Sequence, residues 1–211
     1  GIDLAVDSKL YDTFNETYLK SLVDKYHLPI VAIQTAKNAG PKSVEKTVEL
    51  AKAVNCRVVI VQPPKIFNLK YASWLKNEVP KIRKKENISI ALENASNKTI
   101  LGIIPEFAMN NLNELRKFKH ACLDTTRVAE KKEDLIRTYN LLKSYLVHIH
   151  LSNVFRNHGY YPPPEGILPL ESFLAKLKMD NFKGAISIKV NPKYLYSDNE
   201  EKMLKTLEEP R

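Results

Sequence analysis

Long apolar runs are missing from this sequence. No stretch approaches the roughly 18 consecutive apolar residues that a membrane-spanning helix requires, so no membrane partner is expected. The composition, 44% apolar and 27% charged, is that of a globular chain. Cysteine is scarce. Cys56 and Cys122 fall in strand-like segments without the close spacing of metal ligands, which leads to the expectation of a reduced, cytoplasmic protein. No signal-like leader opens the sequence, which starts at Gly1. No glycine-rich phosphate loop follows the first strand-like run, which argues against a dinucleotide-binding fold. No Pro/Gly/Ser linker or low-complexity tract divides the 211 residues, so one domain over residues 1–211 is expected.

Acidic charge is in deficit. The 33 Lys and Arg exceed the 24 Asp and Glu, leaving a net charge of +9, which favours acidic metabolites or nucleic acid as partners. The basic residues are scattered over helical segments. The densest run, Lys81-Ile82-Arg83-Lys84-Lys85, falls at the expected end of a helix, where cations suit the helix dipole.

What the sequence does have is alternation. Short β-rich runs at 2–6, 30–34, 58–62, 88–93, 121–124, 147–151 and 185–190 are separated by amphipathic stretches. The helical stretches lie at about 16–26, 43–54, 71–84, 111–117, 132–142 and 170–179, with another at 200–207. Asn15, Pro41 before Ser43, and Ser73 before Trp74 read as helix starts. Alternating elements imply parallel strands covered by helices, an α/β fold; with no glycine-rich phosphate loop, a (β/α) TIM-type barrel is expected rather than a dinucleotide-binding sheet. Seven βα units are visible in the sequence, whereas a closed barrel has eight. One unit is therefore expected to be missing. The edges beside 2–6 and 185–190 then need cover, and a homodimer would supply it.

Side chains alternate across a strand. In 147–151, Val147, Ile149 and Leu151 form the helix-facing set, leaving His148 and His150 inward. Ile186, Ile188 and Val190 likewise place Ser187 and Lys189 inward. The same phase puts Gln34, Gln62, Glu93 and Asp124 inward at the ends of their runs, and Asp3 inward if Ile2 and Leu4 pack outside. Parallel sheets build their sites at the carboxyl ends of strands, so six strands agreeing in phase predict a polar pocket there.

At these residues the sequence resembles the xylose isomerase-like TIM barrel superfamily of sugar isomerases, epimerases and apurinic endonucleases. Ala91-Leu92-Glu93-Asn94 resembles that family's LEN strand, and Cys122-Leu123-Asp124-Thr125 its LDTxH motif. His148-Ile149-His150-Leu151-Ser152-Asn153 resembles HVHLKD, and 164–170 resembles the GEGxLDL turn containing Glu165. The four occur in the family's order, and 1–6 aligns with the family's second strand. The resemblance implies one to three divalent metals held by His, Glu and Asp at the strand ends. This chain keeps Glu93, Asp124 and His150 but has Gln34 and Gln62 where the endonucleases have histidines. Arg127 stands at the LDTxH histidine and Lys189 where the last strand usually offers a glutamate. His158 and Tyr160 match the positions of a further metal imperfectly.

Protonated lysine and arginine cannot ligate a metal, and glutamine is a poor zinc ligand. Lys189 and Arg127 are expected instead to balance Glu93 and Asp124. The expected site is thus a degenerate one with no tightly bound cofactor, a single divalent metal on Glu93, Asp124 and His150 being the alternative. Catalytic candidates are Glu93, His150 and Lys189; ligand-binding candidates are Gln34, Gln62, Asp124, Arg127 and Glu165. His148 reads as a hydrogen-bonded core residue, and Glu165 either holds its own loop or meets substrate. Three functions stay open: an isomerase or epimerase acting on a small polar or phosphorylated sugar-like substrate, an apurinic endonuclease-like nucleic-acid-binding or repair protein, and a non-catalytic binding or assembly barrel.

Overall fold

The computed structural model describes residues 1–7, 9–164, 166–195, 199 and 201–204. Glu165 lies outside the described residues, as do 200 and 205–207 of the closing helix expected at 200–207; 201–204 are helical. In chain order the strands are β1 (Ile2–Ala5), β2 (Ile30–Gln34), β3 (Val58–Val61), β4 (Ser89–Glu93), β5 (Thr99–Ile100), β6 (Ile104–Pro105), β7 (Ala121–Asp124), β8 (Leu146–Leu151), β9 (Asn153–Phe155), β10 (His158–Tyr161) and β11 (Ala185–Ile188). The α-helices are α1 (Glu16–Tyr26), α2 (Pro41–Ala53), α3 (Leu69–Asn77), α4 (Val79–Glu86), α5 (Leu112–Phe118), α6 (Thr125–Glu130), α7 (Leu135–Leu142) and α8 (Leu170–Met179).

One seven-stranded sheet runs in the order β1-β2-β3-β4-β7-β8-β11, parallel throughout. Asp3 of β1 hydrogen-bonds to His148 and His150 of β8, although these strands are not neighbours in the sheet. The sheet therefore curls on itself, giving a nearly closed TIM-type barrel with β1 and β11 at its two ends. The expected parallel barrel order is found. The hairpins β5–β6 and β9–β10 are short antiparallel additions that hydrophobic periodicity did not signal.

The alternation separates two cores. Ile33, Val59, Val61, Ile90, Leu92, Leu123 and Ile149 pack outward against Val44, Leu75, Leu135, Tyr139 and Phe173 of the helices. The inward set forms a smaller cluster of Ala32, Ile60, Ala91 and Cys122. A parallel sheet buried on both faces needs apolar residues in both phases, and here the polar exceptions gather at one end.

Four local expectations change. The helix expected over 71–84 is two helices meeting at Glu78, because Pro80 in the first turn of α4 has no N–H to continue a helical ladder. The cap of α3 is Asn68, whose side chain accepts from Tyr71 N at 3.2 Å, and Ser73 lies inside the helix. The helix expected over 132–142 starts at Leu135, capped by Asp134, while α6 begins directly after β7. On β11, Ile186 and Ile188 are 41% and 69% exposed; no helix among the described elements covers that face of the end strand.

Phe173 of α8 is fully buried, its ring edge-on to Tyr139 of α7 with centroids 5.6 Å apart. Phe173→Ala should therefore cost about 3–5 kcal/mol in urea unfolding, whereas Ile188→Ala on the exposed face should change stability by less than about 1 kcal/mol.

Candidate functional site

Outward packing of Ile90 and Leu92 turns Glu93 inward at the end of β4, where it is 5% exposed. On the next strand, β7 ends in the fully buried Asp124. Asn94 fastens the two ends together: its Oδ1 accepts from Asp124 N at 2.7 Å and its Nδ2 donates to Asp124 O at 3.1 Å. Asp124 also caps α6, its Oδ1 accepting from Arg127 N at 3.1 Å. Register places His150 of β8 opposite Asp124, and Ser187 of β11 opposite His150. Lys189 continues the β11 pairing through its backbone N–H, which donates to Leu151 O at 2.9 Å.

The side chains converge. Lys189 Nζ donates to Glu93 Oε1 at 2.6 Å and to Asp124 Oδ2 at 3.1 Å, and lies 3.1 Å from His150 Nδ1. His150 Nδ1 donates to Glu93 Oε1 at 2.5 Å and its Nε2 to Asp3 Oδ2 at 2.8 Å. His148 Nε2 donates to the same Asp3 oxygen at 3.0 Å, while its Nδ1 is buried without a partner among the described residues. Gln34 Nε2 donates to Glu93 Oε2 at 2.8 Å, and Tyr160 of β10 donates its hydroxyl to Asp124 Oδ2 at 3.2 Å. Beyond the cluster opens a cavity of about 320 Å³, with Gln62, Glu93, Asn94, Arg127, Tyr160 and Lys189 on its wall together with Lys37, Lys65 and Lys98.

Burial and charge compete at every titrating group. Burial opposes ionisation of Glu93, but Lys189 and His150 outweigh it and hold the carboxyl well below its ordinary range. Asp124 faces the same ammonium at the longer distance, and there burial wins and pushes it up. Burial would raise Asp3 too, yet the hydrogen bonds from His148 and His150 hold it far down. Burial disfavours an imidazolium at His150, and Cys122, Asp3 and Glu93 around it override burial and raise its pKa strongly. The Cys122 thiol, itself pushed up to about 11 by burial, is neutral at physiological pH, which leaves the two carboxylates to hold the charge. Lys189 is also raised: Glu93 and Asp124 more than offset its burial.

The expected residues thus fall into three groups. Glu93, Asp124, His150, Lys189 and Gln34 share one cluster, and Gln62 lies just past β3 on the cavity wall. Arg127 departs from expectation. Its guanidinium pairs with Glu130 at 2.6 Å and stacks on the Tyr160 ring, and only its backbone N–H reaches Asp124. The reason is local: Asp124 caps the helix, so the Arg127 side chain runs along α6 to the residue three further on. Glu165 is outside the described residues. Sequence reading set Asp3 inward but had no signal for its bonds to His148 and His150. Nor did it bring Tyr160 to Asp124, because that contact depends on the β9–β10 hairpin.

The trio Glu93, Asp124 and His150, to which the resemblance assigns a divalent metal, is occupied by the Lys189 ammonium. Among the described residues, two trios bring ligand atoms within 4.8 Å of one another: Asp3, His148 and His150, and Glu93, Cys122 and His150. Asp124 belongs to neither, so the alternative trio Glu93, Asp124 and His150 is not gathered. The Lys189 ammonium lies between its members.

Two outcomes follow. Lys189→Met leaves buried carboxylates unpaired; the loss is about 3–5 kcal/mol for a fully buried pair, and with the Lys189 side chain 29% exposed on the order of 2 kcal/mol is expected in urea unfolding. The second concerns pH. His150 binds its proton more tightly folded than unfolded, so its stabilisation is complete below the ordinary imidazole value of 6.5 and declines as pH rises above it. The depressed Asp3 acts in the opposite direction, its contribution disappearing as pH falls below its ordinary 3.8. Urea midpoints measured from about pH 6 to about pH 9 should therefore fall, and fall less in His150→Gln.

The family model of a xylose isomerase-like TIM barrel matches residues 3–208. Among curated proteins none matches the chain. A D-tagatose 3-epimerase-like protein superposes with a TM-score of 0.72 at 20% identity, covering 98% of this chain and 85% of that one. D-psicose 3-epimerase from Clostridium cellulolyticum H10, solved with D-tagatose, gives 0.67 at 12% identity over 96% of this chain and 84% of its own. The IOLI protein, solved with a zinc atom, gives 0.66 at 16% identity, covering 98% and 86%. At such identities the superpositions establish the fold alone; with the family match across the parallel barrel, this chain belongs to the xylose isomerase-like TIM barrel family.

Proposed function

We propose that this barrel is a relative of the sugar isomerases and epimerases that moves a proton on a sugar-like polyol or its phosphate. The observation that carries the reading is the contact of Glu93, His150 and Lys189 within 3.1 Å of one another, with Glu93 and Lys189 on the wall of the cavity. A carboxylate, an imidazole and an ammonium in contact are the groups that acid–base transfer beside a carbonyl needs. At rest Glu93 is a weak base, because Lys189 and His150 stabilise its anion. A substrate oxygen that draws the ammonium towards itself returns basicity to Glu93 and gains a proton donor. The raised pKa of Lys189 argues against a Schiff-base role, which requires a depressed one. Lys37 and Lys98 on the cavity wall favour a substrate with an anionic end.

The same lysines would suit the phosphates of a nucleic acid, so that reading is tested beside the first. Epimerisation and isomerisation that pass through removal of a carbon-bound proton open that position to exchange with solvent. Aldoses, ketoses and their phosphates incubated with the protein in D2O should show deuterium incorporation by NMR, reduced about 100-fold or more in Glu93→Gln and Lys189→Met. Absence of exchange across the panel, with those sugars still bound, would mark a non-catalytic barrel. Oligonucleotide binding that weakens steeply with salt, without sugar binding, would place the protein with the nucleic-acid-binding relatives.

A further inference from the structure

A cation already stands where the strand ends converge. Lys189 Nζ touches an oxygen of Glu93 from β4, an oxygen of Asp124 from β7 and the Nδ1 of His150 from β8, at 2.6, 3.1 and 3.1 Å. Both carboxylates are buried, at 5% and 0% exposure, and buried anions require a positive partner. Gln34 occupies the other Glu93 oxygen, and the Tyr160 hydroxyl shares the Asp124 oxygen that Lys189 uses. Arg127, the other cation expected here, is engaged by Glu130. The ammonium is thus the cation that bridges Glu93 and Asp124.

We propose that the Lys189 ammonium is the resident cation of this site, and that the Glu93 and Asp124 carboxylates form a latent cation site which the lysine side chain keeps closed and which opens when that side chain is shortened. Contacts of 2.6 and 3.1 Å to carboxylate oxygens are those of an N–H donor. Zinc needs about 2.0–2.2 Å from the same oxygens, so an alkylammonium fits the opened site as it stands, while a divalent ion fits only after the ligands close in. Nothing in this depends on the reaction that the pocket carries out.

The test is thermal unfolding of the wild type, Lys189→Ala and Lys189→Met in ethylammonium chloride, zinc or manganese, each against sodium chloride of equal ionic strength. The wild type should not respond. Lys189→Ala should melt below it in sodium chloride and recover by roughly 5–10 °C when ethylammonium or a divalent ion is present at about 100 times its Kd. Lys189→Met should melt low and stay low, since its stem refills the space without charge. Glu93→Gln combined with Lys189→Ala should abolish the recovery, which assigns the cation to Glu93 rather than to the Asp3, His148 and His150 trio. Should Lys189→Ala not fold in sodium chloride, refolding yield with and without the added cation is the readout, and folding only with the cation supports the proposal. Four results overturn it: Lys189→Ala as stable as the wild type in sodium chloride, no recovery or refolding with any cation, recovery that survives Glu93→Gln, or wild-type protein that takes up a divalent ion and loses it on Glu93→Gln.

Discussion

Carboxylates at the ends of adjacent parallel strands repel one another, and burial removes the water that would screen them. In this barrel the Glu93 and Asp124 carboxylates are bridged by one ammonium, carried by a strand two places further round. The arrangement depends on strand order. With β4, β7, β8 and β11 side by side and in register, Glu93, Asp124, His150 and Lys189 follow one another around the barrel mouth. A slip of one residue in any of these strands would turn its polar residue out of the pocket. The packing of Leu92, Leu123 and Ile149 against the helices resists that slip, so the outer core maintains the chemistry of the inner one.

On the far side, Asp3 ties β1 to β8 through both histidines. His150 joins the two halves, with Asp3 on one nitrogen and Glu93 on the other. Proton, ammonium and carboxylates then form a connected network, in which each charge is stabilised by the next and none can be removed alone without cost. Such a network suits controlled proton movement, and equally a rigid barrel interior; the same bonds serve both.

The mouth is finished by elements outside the βα repeat. The loop from Asn94 through β5–β6 brings Lys98, and the β9–β10 hairpin brings Tyr160 above Asp124 and beside Arg127. Tyr160 holds a left-handed backbone conformation, φ 56°, which costs energy for a non-glycine residue. Its hydroxyl bond to Asp124 and its ring against Arg127 offset that cost.

Hydrophobic alternation was enough for parallel strands and the inward phase of Gln34, Glu93, Asp124, His150 and Lys189, and the motif resemblance added the barrel order. These are properties of a single strand, where parity alone decides the face. Motif spacing led to the same family that the match over residues 3–208 establishes. Tertiary structure decided the rest. Whether Lys189 or Arg127 neutralises the carboxylates depends on where each side chain can reach: one comes off a strand that points into the pocket, the other off a helix whose first turn is capped by the acid itself. The Asp3–histidine bonds and the Tyr160–Asp124 contact join residues more than 30 positions apart. Such contacts exist only once the sheet has curled and the hairpin has folded over its mouth, and no local pattern in the chain encodes them.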